Sequence, residues 1–347
     1  MNHLNCEFYC HIPGDEYLHV QGKEYIDSII KIAQYAELYH YTGALIYYNH
    51  TVIDPWILAS IIIQNTETHI PLIALQPYTM PPVTAAKMIQ SINWLFNRKV
   101  NLNMVTGARK KELNQINDFV DHNERYVRLH EYIEVLNILL NSKEPVTYHG
   151  KYYNYKELQL KPICDKFPEI FVAGSSEYGN NVGRSVGKVL VTHPGPIEEY
   201  KKNFCKTSNG RNGIRLGVIA RWSTEEAWKV AKQRYPPSRI GMIQTKMKTN
   251  SESHWIKYLS ELSFKQETID DVFWLGGFLS GHTSYPIIIG SYKEVADYLK
   301  KYIEFDVSVV LLSGVFTQEE FENTSEVIKL LDLQSKSTIN NIIHTIH

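Results

Sequence analysis

The sequence predicts a (β/α)₈ barrel. Short apolar runs rich in β-branched and aromatic residues alternate with longer stretches of helical period, the pattern of repeated βα units around a parallel sheet. Eight strand-like runs can be counted, and a chain of 347 residues has room for one such barrel with insertions. The strands are expected at Asn5–His11, Ala44–Tyr48, Leu72–Gln76, Val100–Val105, Glu169–Ala173, Val189–Thr192, Ile214–Arg221 and Val307–Ser313. Helical period fills Tyr25–Tyr39, Pro55–Asn65, Pro82–Phe96, Glu124–Leu140, Glu177–Gly187, Ile197–Cys205, Thr224–Arg234 and Gln318–Leu331.

Two intervals break the alternation. Residues 141–167 contain Thr147-Tyr148-His149-Gly150-Lys151-Tyr152, which reads as a small hairpin turning at His149-Gly150 and inserted before the fifth strand. Residues 235–282 are polar in patches and punctuated by Pro236-Pro237, Gly241, Gly276-Gly277 and Gly281. A structureless loop of that length in a compact domain is usually functional, so this segment is the candidate lid. The expected organisation is a single domain over 1–347 with these two insertions.

Composition narrows the function. Lysine and arginine number 36 against 37 acidic residues, a net charge of -1 with no basic stripe, so no nucleic-acid partner is expected. The cysteines Cys6, Cys10, Cys164 and Cys205 have neither zinc-ribbon spacing nor a second pair, and they read as reduced thiols of a cytoplasmic protein. The N-terminus lacks a charged region followed by a long apolar core, so no secretion is expected. The longest strongly apolar stretch, Ile57–Ile63, falls far short of the ~20 residues that cross a bilayer, and a soluble protein is expected.

In such barrels the reacting groups lie at the C-terminal ends of the strands. That rule selects His11, Gln76, Asn103, Thr106, His193 and Arg215. A histidine there is either a proton carrier or a hydrogen-bonded structural imidazole, and both readings stay open for His11 and His193. A sharper feature is Pro168 to Ser176, where a buried strand runs into the small-residue turn Gly174-Ser175-Ser176 and then into a helix. Helix N-terminal amides with glycine and two serine hydroxyls suit an anion; an ordinary serine N-cap would look the same. Asp121-His122-Asn123-Glu124-Arg125-Tyr126 is a polar cluster opening a long helix. There is no phosphate-binding G-x-x-x-x-G-K-[ST] loop, no G-x-G-x-x-G after the first strand and no H-E-x-x-H, so nucleotide hydrolysis, Rossmann-type dinucleotide binding and a metal site are unsupported.

Three segments taken together, Asn101–Gly107, Phe119–Tyr126 and Pro168–Ser176, resemble the luciferase-like flavin-dependent monooxygenases, and within them the alkanesulfonate monooxygenase branch. Tyr41–Ile46, Ile73–Pro77, Gly213–Leu216, Thr224–Trp228 and Leu312–Gly314 extend the likeness to about Leu331. The resemblance implies a (β/α)₈ barrel that takes reduced FMN (FMNH2) from a separate NAD(P)H:flavin reductase and oxygenates an organic substrate with O2 through a flavin peroxide, as a homodimer or homotetramer. It places Gly174, Ser175, Ser176 and Tyr126 at the FMN phosphate, Ala74, Leu75, Asn103 and Thr106 along the ring and ribityl chain, and His122 among the cofactor-binding residues. His11, Arg215, His193 and His282 are its candidate catalytic groups, with Tyr48 and Tyr78 as further polar groups. A non-catalytic flavin-binding barrel and an F420-dependent oxidoreductase of the same fold are the alternatives.

The departures bear on the substrate. Gly217 stands where the sulfonate enzymes have a histidine, Val52 where they have a cysteine, Val315 where they have a tyrosine, and Ser280 or Gly281 where a lid arginine is expected. Only Arg215 is retained. An anionic sulfonate needs fixed cations once water is excluded, so desulfonation is not expected. Gly217 and Val315 are expected to open a roomier, more apolar pocket for a larger substrate, one delivered on a carrier protein in specialised metabolism.

Overall fold

The structure, a computed structural model, describes residues 5–17, 19–107, 110–174, 176–204, 210–251 and 253–346. Its barrel strands are β1 (Glu7–His11), β2 (Gly43–Ile46), β3 (Ile70–Leu75), β4 (Asn101–Met104), β5 (Ile170–Ala173), β6 (Val189–Thr192), β7 (Arg211–Arg221) and β8 (Val307–Ser313). The helices that follow them in turn are α1 (Gly22–Leu38), α2 (Pro55–Gln64), α3 (Pro82–Phe96), α4 (His122–Asn141), α5 (Glu177–Ser185), α6 (Ile197–Phe204), α7 (Thr224–Arg234) and α8 (Gln318–Ile346). This is the order of a (β/α)₈ barrel, and every predicted strand overlaps an observed one. The chain divides into two compact units, His11–Val191 and Met1–Cys10 with Thr192–His347, which are described in turn.

In the first unit β2, β3, β4, β5 and β6 run parallel in chain order, with Leu45 beside Leu72, Ala74 beside Asn103 and Val172 beside Leu190. Strands covered on both faces need continuous apolar sequence, and all four residues of Gly43–Ile46 are buried. Helix α2 starts where Asp54 accepts from the Trp56 and Ile57 amides and Pro55 presets the first turn. At the far end of α1, the Glu37 carboxylate accepts from the Glu67, Thr68 and His69 amides and from the Thr68 hydroxyl, fixing the entry to β3. The predicted hairpin is present: Val146–His149 pairs antiparallel with Asn154–Leu158. Its turn is held to α4 by Glu131, which accepts from the Lys151, Tyr152 and Tyr153 amides.

In the second unit β8 lies between β1 and β7, all parallel, with Leu311 beside both Tyr9 and Arg215. Residues 235–282 correct the expectation of a structureless loop. They hold the helices Arg239–Lys248 and His254–Lys265, the two-residue strands Thr268–Ile269 and Phe273–Trp274, and the short helix Gly276–Leu279. Sequence reasoning also missed the pair that follows, a strand Ile287–Ser291 on the outer half of β7 and a helix Tyr292–Glu304. The signal was available in the run Ile287-Ile288-Ile289 and in the capping box formed by Ser291 and Glu294. Helix α8 is anchored by buried Glu320, which pairs with Arg221 at 2.5 Å and with Arg234.

Among the described residues no helix is long and apolar enough to cross a membrane, and no cluster of His, Cys, Asp and Glu suited to a metal ion is found.

Burial pushes the Glu37 carboxyl up, but its four donors outweigh that and hold it at about 2, against an ordinary 4.5. A carboxyl whose pKa falls on folding adds stability above pH 4.5 that is lost as the pH drops towards 2. Glu37→Gln is therefore expected to destabilise the protein at neutral pH by about 1–3 kcal/mol in urea unfolding. The difference from wild type should shrink as the pH falls through that window; a constant difference would show that the charge is not what matters.

Candidate active site

The predicted anion turn follows β5. Ser176 is the N-cap of α5, its Oγ accepting from the Gly179 amide at 3.1 Å. The two readings of this serine are compatible, because an Oγ that accepts from the helix still has its own hydrogen to donate to an anion. Tyr126, buried on α4, brings its hydroxyl against the turn. A Cβ on Gly174 would lie 3.3 Å from that hydroxyl oxygen and 3.0 Å from the Gly179 Cα, and one on Gly179 would lie 3.0 Å from the same oxygen. The two glycines thus let the phenol, the turn and the first turn of α5 converge. His122, the first residue of α4, sets its ring edge against Tyr126 at 5.3 Å. Ser175 lies outside the described residues.

One strand away in sheet order, β4 offers polar groups at its C-terminal end. Asn101 and Asn103 share a face, being two residues apart. The Asn101 amide oxygen accepts from the Glu169 amide at 2.9 Å, whereas the Asn103 Oδ1 is buried with no partner. Ala74 is its cross-strand neighbour and Thr106 follows in the loop, both buried. The Gln76 Oε1 and the Tyr78 hydroxyl are likewise buried and unpartnered, and burial with the nearby charge of Glu112 raises the Tyr78 pKa. Sequence reasoning had Gln76 on its list of strand ends without a role. Unpaired buried acceptors are costly, and they are usual where a ligand completes the hydrogen bonding. The ring N–H and ribityl hydroxyls of a flavin would do so, and the cradle at Ser176 and Tyr126 suits a phosphate. The residues present fit FMN.

His11 ends β1, is fully buried, packs its ring on Tyr47 at 5.7 Å and has Nε2 3.8 Å from Glu16. Glu16 in turn accepts from the Gly14 amide at 2.9 Å, while the Tyr47 hydroxyl accepts from the Asp15 amide at 3.0 Å. The loop after β1 therefore holds an imidazole within reach of a carboxylate and a phenol. Tyr48 is apart from this set, with its ring edge on His50 at 5.9 Å.

The other catalytic candidates belong to the second unit. His193 follows β6, and its Nδ1–H donates to the Arg215 carbonyl at 3.1 Å, which leaves Nε2 as an acceptor. Burial and the Arg215 charge push its pKa down to about 3, so the ring is neutral in any physiological condition. Arg215 donates through Nε to Ser313 at 3.1 Å and places its guanidinium over the Tyr285 ring at 5.5 Å. His282 is exposed and donates from Nε2 to the Pro236 carbonyl at 2.8 Å, bracing the inserted segment.

Gly217 and Val315 do not open the pocket as expected. A Cβ on Gly217 would fall 2.9 Å from Cε2 of Tyr285 and 3.1 Å from Ile287, so the volume a histidine would need is filled, and Val315 is wholly buried. The Tyr285 hydroxyl reaches the turn after β8, where a Cβ on Gly314 would lie 3.4 Å from it and 3.4 Å from the Tyr235 hydroxyl. Tyr235 hydrogen-bonds Tyr285 and Arg234. A single tyrosine thus fills the space over Gly217 and brings a phenol beside the residue before Val315. No arginine would fit at Gly281 either, since its φ is +75° and its Cβ would come 2.8 Å from the Cα of Gly241.

A barrel of this order, with buried unpartnered acceptors at its strand ends and a glycine-serine turn opening a helix beside a buried tyrosine, has the features of a flavin-type oxidoreductase. The chain belongs to the luciferase-like monooxygenase family, whose model matches residues 7–308, and it is a monooxygenase using O2 on an organic substrate. It is 46% identical over 327 residues, covering 92% of this chain and 96% of the relative, to the 4-(gamma-L-glutamylamino)butanoyl-(BtrI acyl-carrier protein) monooxygenase BtrO of Niallia circulans. Among solved structures, riboflavin lyase RcaE with modified FMN and riboflavin aligns with a TM-score of 0.73 at 15% identity, over 95% of this chain and 92% of that one. EDTA monooxygenase EmoA from Chelativorans sp. BNC1 aligns at 0.69 and 14%, over 96% and 94%. An F420-dependent secondary alcohol dehydrogenase aligns at 0.64 and 13%, over 94% and 98%, so the fold itself serves both flavin and deazaflavin.

Two outcomes follow from the geometry. A His193→Gln variant should leave the limbs of the pH–rate profile between pH 5 and pH 9 where they are, because a ring with a pKa of about 3 carries no proton there; displacement of a limb would make His193 the titrating group. Gly217→Ala should lower stability by about 1–3 kcal/mol through overpacking and by less in a Tyr285→Leu background, as read from urea unfolding of all four members of the cycle.

Proposed function

We propose that the chain is the oxygenating half of a two-component monooxygenase. It takes reduced FMN from a separate NAD(P)H:flavin reductase and oxygenates an acyl group borne on an acyl-carrier protein in specialised metabolism. The observation that carries the cofactor reading is the convergence of the Tyr126 hydroxyl with Gly174, Ser176 and Gly179 at the start of α5, with the unpartnered Asn103 Oδ1 and Gln76 Oε1 at the ends of β4 and β3. The carrier reading rests on the BtrO relative and on the loss of the sulfonate-binding cations.

Reduced FMN with O2 supplies the oxidising power, one oxygen atom entering the substrate and the other leaving as water. In this reading Ser176 and Tyr126 donate to the phosphate, assisted by the partial positive charge of the α5 N-terminus, and His122 fixes the Tyr126 ring. Asn103, Gln76 and Thr106 fix the ring and ribityl chain, and Ala74 leaves room for them. His11 is the proton carrier, with Glu16 to balance its charge. His193 accepts a hydrogen bond through Nε2. Arg215 and Tyr285 present a cation and a phenol, replacing the missing histidine and tyrosine as polar groups. His282 acts only through the inserted segment. The working enzyme is a homodimer or homotetramer.

Anaerobic titration with reduced FMN and with reduced F420 tests the cofactor, and tight binding of F420 alone would overturn the reading. Ser176→Ala and Tyr126→Phe should each weaken reduced-FMN binding by about 1–3 kcal/mol, roughly a factor of 5–150 in Kd. Unchanged affinity in both would remove the phosphate assignment.

A further inference from the structure

The helix Arg239–Lys248 of the inserted segment is packed inside out. Its inward face is small and polar: Gly241 meets the Ser280 carbonyl so closely that a Cβ would fall 1.7 Å from that oxygen, and Thr245 donates to the Phe278 carbonyl at 3.1 Å. Its outward face is apolar. Ile240, Ile243 and Met247 follow one another at i, i+3 and i+7 and are 72%, 57% and 71% exposed. Phe264 of the helix His254–Lys265, 40% exposed, lies beside this surface beneath the Lys246 ammonium at 5.3 Å. The helix carries Arg239, Lys246 and Lys248 and no acidic residue, within a chain of net charge -1. A surface helix ordinarily turns its apolar stripe inward, and an exposed apolar patch rimmed by polar residues marks an interaction site.

We propose that this stripe is the docking surface for the acidic carrier protein that presents the substrate; the proposal rests on the carrier reading above. A helix with an apolar stripe, three cations and no acidic residue is complementary to a carrier surface that is apolar with an acidic rim. A second copy of this chain fits less well, because a two-fold contact of the helix with itself would bring together two surfaces that each carry Arg239, Lys246 and Lys248 and no acidic residue. Position agrees. The helix begins four residues after Tyr235, whose hydroxyl lies at Gly314 just beyond β8, at the strand end from which barrel loops build a site. A carrier seated there has its prosthetic arm near those loops.

The test uses the full-length enzyme with reductase-supplied reduced FMN and two probes. One is the 4-(gamma-L-glutamylamino)butanoyl group on the BtrI carrier protein, and the other is the same acyl group as an N-acetylcysteamine thioester. In Arg239→Glu/Lys246→Glu and in Ile243→Ser/Met247→Ser, the KM for the carrier-borne group is expected to rise by about tenfold or more, with kcat and the thioester KM changing by less than about twofold. Carrier binding by the wild type should weaken with added salt, and that dependence should be lost in the charge-reversed variant. If the wild type uses the carrier-borne group and both variants match its KM, the docking surface is refuted and the carrier reading stands. The docking surface is equally refuted if the variants lose both probes alike. It is also refuted if they lose only self-association or binding to phosphatidylglycerol vesicles. A wild type that oxygenates the thioester and ignores the carrier-borne group refutes the carrier reading and the docking surface together.

Discussion

The Tyr285 ring organises the second unit. Its edge occupies the space over Gly217, its face carries the Arg215 guanidinium, and its hydroxyl meets Tyr235 at Gly314. Each of those neighbours is constrained in return. Residue 217 has no room for a side chain, residue 314 sits at φ +83° with two phenols against it, and Arg215 is directed by Ser313 on one side and an aromatic face on the other. Through Tyr235 the constraint reaches Arg234 and then Glu320, the buried carboxylate that also holds Arg221 and anchors α8. A buried carboxylate between two guanidiniums is strongly coupled to both, so removing one partner leaves an uncompensated charge.

The first unit solves a different problem. In the proposed reading a flavin phosphate needs donors on rigid supports, and the candidates come from the first turn of α5 and from α4. Ser176 is fixed by its own cap bond and Tyr126 by burial on α4, so both donors are oriented before any ligand arrives. The paired asparagines of β4 differ in their satisfaction: the Asn101 oxygen accepts from Glu169 just before β5, and the Asn103 oxygen, one pleat onward, is buried without a partner.

The barrel was legible in the sequence because buried parallel strands demand continuous β-branched and apolar runs, and glycine and serine mark where α5 begins. The strand Ile287–Ser291 was missed for want of a ninth place in an eightfold pattern, although its apolar run and capping box were plain. The inserted segment looked like loop because its elements are short and its glycines and Pro236-Pro237 dominate the pattern; the helix Arg239–Lys248 in addition buries only Gly241 and Thr245, so its apolar residues mark no core face. Spatial replacement was invisible as well. A glycine and a valine at 217 and 315 read as lost bulk, and only the packing shows that Tyr285, far along the chain, has taken the volume. The neutrality of His193 likewise depends on burial and on the Arg215 charge, which no spacing reveals.

The glycine pair at 241 and 281 has a consequence for how this protein can change. Introducing a basic side chain at 281 would strain a left-handed backbone and drive the helix Arg239–Lys248 off its seat. Introducing a histidine at 217 would collide with Tyr285. Each substitution clashes with its opposite number until that residue has changed, so positions 217 and 285, and 241 and 281, are coupled through packing although distant in sequence, and a library built by varying one site at a time would meet the clash before the compensation.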